Sequence, residues 1–383
     1  MVWRKAGMRL VFWMAVAIVG YTYFGYAAWL WVRTRFRARP VRAASYLPPI
    51  SLVLVVRNEA ESLPSKLENL SALSYPEDRF EIVLVSDGST DGTNRILSEF
   101  ASNTPARVVL NSDPRGKAAG LNDAIKSSTG DIVVFTDVRQ KIERDAVVRL
   151  LENFADPEVG CASGELVLGD PDSGEAACGM GLYWKFEKMV RRMESASGSV
   201  AGATGALYAV RRNLLPPVPA ETVLDDVFIP MHVLRQGFRV VFDPRAKAWD
   251  LPDLGMKREF ERKVRTLSGN YQLLQLQPWL LTRANPIRFG FISHKLLRLI
   301  VPFALLAILF TSCFLSEPLY RVALIGQAIF YSLSLSVFAR LKQNPLTQIA
   351  TIAFTFILLN TAALAAFANF VARRKAFWGG PAK

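Results

Sequence analysis

The chain has 383 residues, 51% of them hydrophobic and 21% charged, with a formal net charge of +13 at pH 7. That length holds one α/β domain of ordinary size and a membrane part, and excludes several large domains. Two histidines (His232, His294) and three cysteines (Cys161, Cys178, Cys313) without a C-x-x-C pair argue against a zinc site, a disulfide frame or a Ser-His-Asp triad.

Reduced thiols in a cytosolic domain are therefore expected. The positive charge fits anionic lipid or a phosphorylated substrate. Nucleic acid is disfavoured, because no basic tract with interleaved aromatics occurs in the soluble part.

Residues 10–32 carry no charge, a run longer than the roughly 20 apolar residues a spanning helix needs. Its Trp and Tyr residues suit an interfacial belt better than the short core of a cleaved signal peptide. Arg33, Arg35, Arg37, Arg39 and Arg42 follow it, denser than Arg4, Lys5 and Arg9 before it. The positive-inside bias places the next domain in the cytoplasm.

From Pro48-Pro49 the pattern changes. Residues 51–56 (SLVLVV), 81–85 (EIVLV), 107–110 and 131–136 (DIVVFT) read as strands, and 63–73, 91–101 and 117–127 as helices. Continuous apolar strands alternating with helices predict a mostly parallel α/β sheet covered on both faces. Ligands of such sheets sit beyond the carboxyl ends of the strands. There stand Arg57-Asn58-Glu59, then S-D-G-S-T-D at 86–91, then Asp137-Val138-Arg139-Gln140. Any one carboxylate could cap a helix or turn, Thr90 or Asp91 among them. Glu59, Asp87 and Asp137 in successive crossovers point instead to a nucleotide site.

The order V-V-R-N-E, S-D-G-S-T-D, R-G-K-A-A-G-L-N and T-D-V-R resembles membrane-bound glycosyltransferase family 2, over roughly residues 51–275. Polysaccharide synthases and ceramide glucosyltransferase-like enzymes are the similar members. The resemblance implies a GT-A (Rossmann-like) domain at 51–255 and a nucleotide diphosphate sugar donor, with a lean to UDP. It implies donor contacts from Glu59, Asp87 and Lys117. Asp137 matches the first residue of the family's D-x-D element, which helps hold Mg2+ or Mn2+; Arg139 replaces the second aspartate. A single carboxylate is a poorer hard-oxygen site, so the metal either binds through Asp137, phosphate and water, or gives way in part to Arg139.

Residues 168–220 look less regular. Gly202, Thr204 and Gly205 lie in a small-residue stretch that the resemblance assigns to the acceptor side, and tight packing competes as an explanation. T-V-L-D-D-V-F-I at 222–229 is similar to the family's T-E-D element, with Asp226 as catalytic base and Asp225 beside it. An adjacent like charge raises a carboxyl pKa and so suits a base; a helix cap is the competing role. Direct displacement without an enzyme nucleophile would invert the anomeric centre. Arg262 and Arg265 match the (Q/R)-x-x-R-W element, share a helix face, and suit a departing diphosphate. Thr266 replaces its Trp, which weakens the case for processivity.

Residues 256–298 read as amphipathic interfacial helices. Residues 299–316, 322–339 and 343–372 are predicted as three further spans, followed by a basic tail at 373–383. Three crossings would leave Arg373, Arg374 and Lys375 outside, against the charge rule, so a re-entrant segment and an early-set topology both stay open. Together these features imply a multi-pass protein of the bacterial inner membrane, its catalytic domain cytoplasmic. It would transfer sugar to a lipid or lipid-associated glycan. A processive synthase is the alternative, and a catalytically silent nucleotide-sugar-binding scaffold is the other class. A transporter is disfavoured, since these spans lack internal charge.

Overall fold

The computed structural model describes residues 2–170, 175–176, 181–251, 255–339 and 345–372; Cys178, the basic loop with Arg340 and Lys342, and the tail at 373–383 lie outside the described residues. The chain begins with helices α1 (Val2–Gly20) and α2 (Tyr26–Phe36), continuous through a π turn at Tyr21–Gly25. The basic linker beyond them is docked on the α/β domain. Arg39 pairs with Glu158 at 3.0 Å, and the Arg42 backbone N–H donates to Asp156 at 3.2 Å.

The domain then runs β1 (Ile50–Val56), α3 (Leu63–Ser71), β2 (Phe80–Asp87), α4 (Thr93–Asn103), β3 (Arg107–Asn111), α5 (Lys117–Ser127) and β4 (Ile132–Thr136). These elements match the apolar runs and helical periods of the sequence. β1 is buried at every position, as a parallel strand covered on both faces must be. Val53 and Val55 face a core shared with α5, while Ile50, Leu52 and Leu54 face Leu63, Leu67 and Leu70 of α3. Close approach of α5 requires Gly120, where a Cβ would stand 2.6 Å from Val55 Cγ1.

The second half departs from the expectation of a mostly parallel sheet. It contributes β5 (Lys141–Ile142), α6 (Ala146–Glu152), β6 (Val159–Asp170), β7 (Glu175–Ala176), α7 (Gly181–Ser197), β8 (Leu207–Arg211), α8 (Asp225–Arg235) and β9 (Arg239–Asp250). The strand order is β3-β2-β1-β4-β8-β6-β9-β5, with β7 on β6. β8 runs antiparallel to both β4 and β6, and β5 antiparallel to β9, so the sheet is mixed. Inserting β8 beside β4 carries the chain at 202–206 back over the carboxyl end of β4, next to Asp137.

Helix α9 (Met256–Leu276) leads through α10 (Arg288–Phe291) and a π turn into α11 (Leu297–Phe314), α12 (Pro318–Leu335) and α13 (Pro345–Val371). Among the described residues, three helices are long and apolar enough to cross a membrane: Lys5–Phe36, Arg288–Phe314 and Ile349–Val371. The segment expected at 322–339 is helical as α12 but is not among them. Helix α12 carries Arg321, just before that segment, and Gln327 within it, and packs beside α11 and α13. The second candidate span starts earlier than the apolar run and takes in His294, Lys295 and Arg298. Charge inside a span, absent from the sequence expectation, is thus present.

Candidate active site

The loops after β1 and β2 are bonded to one another. Asn58 takes a left-handed backbone (φ 53°) and its Oδ1 accepts the Thr90 N–H at 2.8 Å. The Glu59 N–H donates to Thr93 Oγ1 at 2.9 Å, and Asp91 accepts from Ala60 N–H and Thr93 N–H. This fixes Glu59 at the strand edge, where burial raises its carboxyl pKa and the charges of Asp91, Arg139 and Asp137 are felt.

Asp87 behaves differently from the expectation of a presented ligand. It is completely buried, and its two oxygens accept the Arg115 and Gly116 N–H groups, each at 2.8 Å. Its carboxylate holds the turn that starts α5. Gly116 has φ 92°, and Lys117 opens the helix directly after it.

Lys117 connects the two acidic motifs. Its Nζ lies 2.9 Å from Asp137 Oδ1 and 3.3 Å from Asp225 Oδ1. Burial opposes its charge, but Asp137 and Asp225 outweigh that and hold the ammonium protonated. Across this cation, Asp137 and Asp226 converge on Gly205: a Cβ there would lie 3.4 Å from Oδ2 of each. A side chain at 205 would fill the space between the two carboxylates.

The stretch at 202–205 is clipped in place from two sides. The Ala203 N–H donates to the Asp226 carbonyl at 2.7 Å, and Thr204 N–H to Ser163 Oγ at 2.9 Å. Arg191 of α7 donates to Thr204 Oγ1, Ser163 Oγ and the Gly202 carbonyl. Gly202 has φ 122° and sits against Val227.

Asp225 and Asp226 form the first turn of α8, where the helix dipole favours negative charge. The N-cap is Leu224, and neither aspartate caps the helix through its side chain. Burial and the Asp225 carboxylate push Asp226 up to about 6, against the pull of Lys295 and Lys117. A base with that value is ionised at neutral pH yet still accepts a proton. If Asp226 serves as a base, a rate that depends on it should rise with pH through about 6 and level off above it, because its carboxyl must be deprotonated to accept a proton. A profile flat from pH 5 to about 8 would remove Asp226 from the titrating step.

Arg139 and Arg262 meet on a residue that the sequence reading missed. Asp250, 1% exposed at the end of β9, accepts from Arg139 Nη2 and Gln140 Nε2, and lies 3.6 Å from Arg262 Nη1. The charge of Arg139 is thus matched within the protein. Arg262 also pairs with Glu259, whereas Arg265 is exposed and forms no ion pair among the described residues. Asp250 stands at a strand end like Asp137, which is the signal that could have found it. Lys66 was likewise missed. It is buried on α3 and donates to Thr136 Oγ1 and the Gln140 carbonyl, stapling the Asp137–Gln140 turn.

Among the described residues no group of three or more His, Cys, Asp or Glu could hold a metal ion. Asp137 is half-exposed, with Oδ1 on Lys117 and Oδ2 facing the space beside Gly205. One carboxylate with substrate phosphate and water suits Mg2+ or Mn2+, ions that keep much of their own shell.

The sequence profile described as Glycosyl transferase family 2 matches residues 51–216. Poly-beta-1,6-N-acetyl-D-glucosamine synthase of Staphylococcus aureus is 25% identical over 261 residues, 67% of this chain and 62% of the relative. The enzyme of that name from Staphylococcus epidermidis is 26% identical over 234 residues, 60% of this chain and 56% of the relative. The chain thus spans less than two thirds of the length of these relatives. Among solved structures, mannosyltransferase PcManGT from Pyrobaculum calidifontis, in complex with GDP-Man and Mn2+, has a TM-score of 0.72 at 24% identity. That alignment covers 95% of this chain and 99% of the other, and the likeness is one of fold. With the mixed Rossmann-like sheet and the motif order on one edge, the chain carries a glycosyl transferase family 2 domain of the GT-A fold at residues 51–216.

Proposed function

We propose that the chain is an inverting glycosyltransferase. It moves a sugar from a nucleotide diphosphate donor, UDP-linked by preference, to a lipid or lipid-associated glycan at the cytosolic membrane face. The observation that carries this is the pairing of Asp137 with Asp226 across Gly205, with Lys117 between the two acidic motifs. The donor lies along Glu59, Lys117 and Asp137, on the edge that Asp87 shapes. Asp226 takes the proton of the acceptor hydroxyl as its oxygen attacks the anomeric carbon, and the nucleoside diphosphate departs towards Arg262 and Arg265. Asp225 sits beside Asp226, shares Lys117 with Asp137, and raises the basicity of its neighbour. Gly202, Thr204 and Gly205 leave the acceptor side open to the backbone.

A divalent ion held by Asp137 and the donor phosphates would neutralise charge on the leaving group. The ion pair of Arg139 with Asp250 favours this over a purely arginine-based site. Chelation with EDTA should then lower transfer by at least about 100-fold, restored by Mn2+ or Mg2+. Unchanged turnover would transfer that role to protein cations. The deciding experiment is a donor screen with the purified chain in lipid, read as release of nucleoside diphosphate. UDP- and GDP-sugars are both included, and absence of release with every donor would support the silent scaffold instead.

A processive synthase is the second reading, favoured by the printed names of the staphylococcal relatives. Thr266, in place of the family's Trp, weighs against it. Extracted radiolabelled product separates the two: a ladder of long glycan supports a synthase, and one discrete lipid spot supports single transfer.

A further inference from the structure

The stretch at 202–205 (G-A-T-G) has one side chain able to hydrogen bond, the Thr204 hydroxyl. Glycines keep much backbone freedom, so ordering such a segment is costly unless other groups hold it. Yet Gly205 lies between the carboxylates of Asp137 and Asp226, where small displacements matter most. Its place must be imposed from outside.

Arg191 of α7 imposes it. Nη1 donates to Thr204 Oγ1 at 2.5 Å, and Nη2 to Ser163 Oγ at 3.0 Å and the Gly202 carbonyl at 3.3 Å. One guanidinium thus holds the chain on both sides of Ala203, whose N–H donates to the Asp226 carbonyl at 2.7 Å. The guanidinium also lies over the Phe242 ring, 4.8 Å from its centre. Helix α7 is itself fixed. The Tyr26 hydroxyl donates to Glu194 at 2.8 Å, and Glu165 pairs with Lys188 and Arg192.

The choice of partners is informative. The charges of Glu187, Glu194, Asp226 and Glu165 all act on Arg191. A hydrogen bond to a carboxylate is roughly twice as strong as one to a neutral acceptor. Among the described residues, however, Arg191 forms no ion pair, and its hydrogen bonds go to two hydroxyls and a carbonyl. Glu187 and Glu194 are bonded instead to Arg298, Tyr26 and His294. Stronger partners stand near, and the bonds that Arg191 makes all fix the loop. A lysine would keep the charge but lack the planar fork that reaches Thr204 and Gly202 together.

We propose that Arg191 is a positioning residue for sugar transfer, which keeps 202–205 seated on the Asp226 backbone so that the acceptor hydroxyl meets the base in one geometry. This rests on the reading of the chain as a transferase with Asp226 as base. Among the described residues no bond joins Arg191 to Glu59, Lys117 or Asp137, so donor binding should not depend on it.

The test uses the full chain in nanodiscs, with the nucleotide sugar that the donor screen selects and release of nucleoside diphosphate as the readout. Arg191→Lys should lower kcat at least about tenfold, as misplaced reacting groups do, while donor KM and nucleoside diphosphate affinity stay within about threefold. The midpoint of its pH profile should remain at about 6, because the geometry changes and the charge does not. Thr204→Val should also lower kcat, and the loss in the double variant should fall well short of the product of the two. Unchanged kcat in Arg191→Lys would overturn the proposal. Losses that multiply would give the two residues separate roles, and a loss explained by a shifted midpoint would make Arg191 act through charge; either overturns it. A parallel loss of nucleoside diphosphate affinity in Arg191→Lys would assign the residue to the fold and overturn it too. These failures leave the functional reading standing. If the original chain releases no nucleoside diphosphate from any donor, that reading fails, and this role with it.

Discussion

Replacing Asp226 by Asn should lower sugar transfer by about 10^2 to 10^4-fold, the usual contribution of a positioned general base, and leave UDP affinity within a few-fold of the original. The substitution keeps the side chain's shape beside Gly205 and removes the carboxylate that the proposed mechanism uses to accept the proton. The rise of kcat/KM through about pH 6 should vanish with it, because that rise belongs to this carboxyl. Asp225 is a poor substitute. Its carboxylate is buried, 3.3 Å from Lys117 Nζ and 3.5 Å from the Tyr208 hydroxyl. Full activity in Asp226→Asn would move the base to another residue. A parallel loss of UDP binding would show that the change disturbs the donor edge instead.

Asp87→Ala should damage the donor edge through the fold. The carboxylate accepts two buried backbone N–H groups, and hydrogen bonds to a charged group contribute about 1.5–3 kcal/mol each. Losing both should cost about 3–5 kcal/mol, read as a fall in Tm of roughly 10 °C for a domain of this size. The neighbouring turn has no slack to absorb the loss. Gly88 has φ 64°, and a Cβ there would stand 2.4 Å from the Pro114 backbone nitrogen. UDP affinity should fall together with Tm, since Lys117 follows the turn that Asp87 holds. Weaker UDP binding at an unchanged Tm would mean that Asp87 touches the donor and supports nothing else.

The first half of the domain was legible because its central strands, β1 and β4, are buried at every position. SLVLVV and DIVVFT can be little else, and the helix expected at 117–127 is α5, Lys117–Ser127. The second half was not, for a physical reason. β6 is interrupted by register shifts between Val159 and Cys161 and between Ser163 and Glu165. The glycines between them permit close packing: a Cβ on Gly160 would lie 2.6 Å from Val233 Cγ1, and one on Gly164 2.5 Å from the Ala246 carbonyl oxygen. Small residues required by tertiary contact look like loop in a linear reading.

The same division applies to the site. Residues at strand ends could be picked out, and Lys117, Asp137, Asp225, Asp226 and Gly205 do come together. The inward turn of Asp87 could not be seen, because its partners lie at Arg115 and Gly116 in another crossover. Nor could the meeting of Arg139 with Asp250, separated by 111 positions. The internal charge of the second span was hidden by reading only its apolar stretch, whereas the helix begins at Arg288.

Helix α9 carries Arg262 and Arg265, and its far end is fastened to the last candidate span: Tyr271 stacks on Phe370 at 5.0 Å. A span tilts when the hydrocarbon layer around it thins or thickens. Tilt of α13 would be passed to α9 through this packing, and so to the Arg262 contact with Asp250. Under the proposed function, the acyl length of the host lipid should then alter the rate of transfer with every residue unchanged.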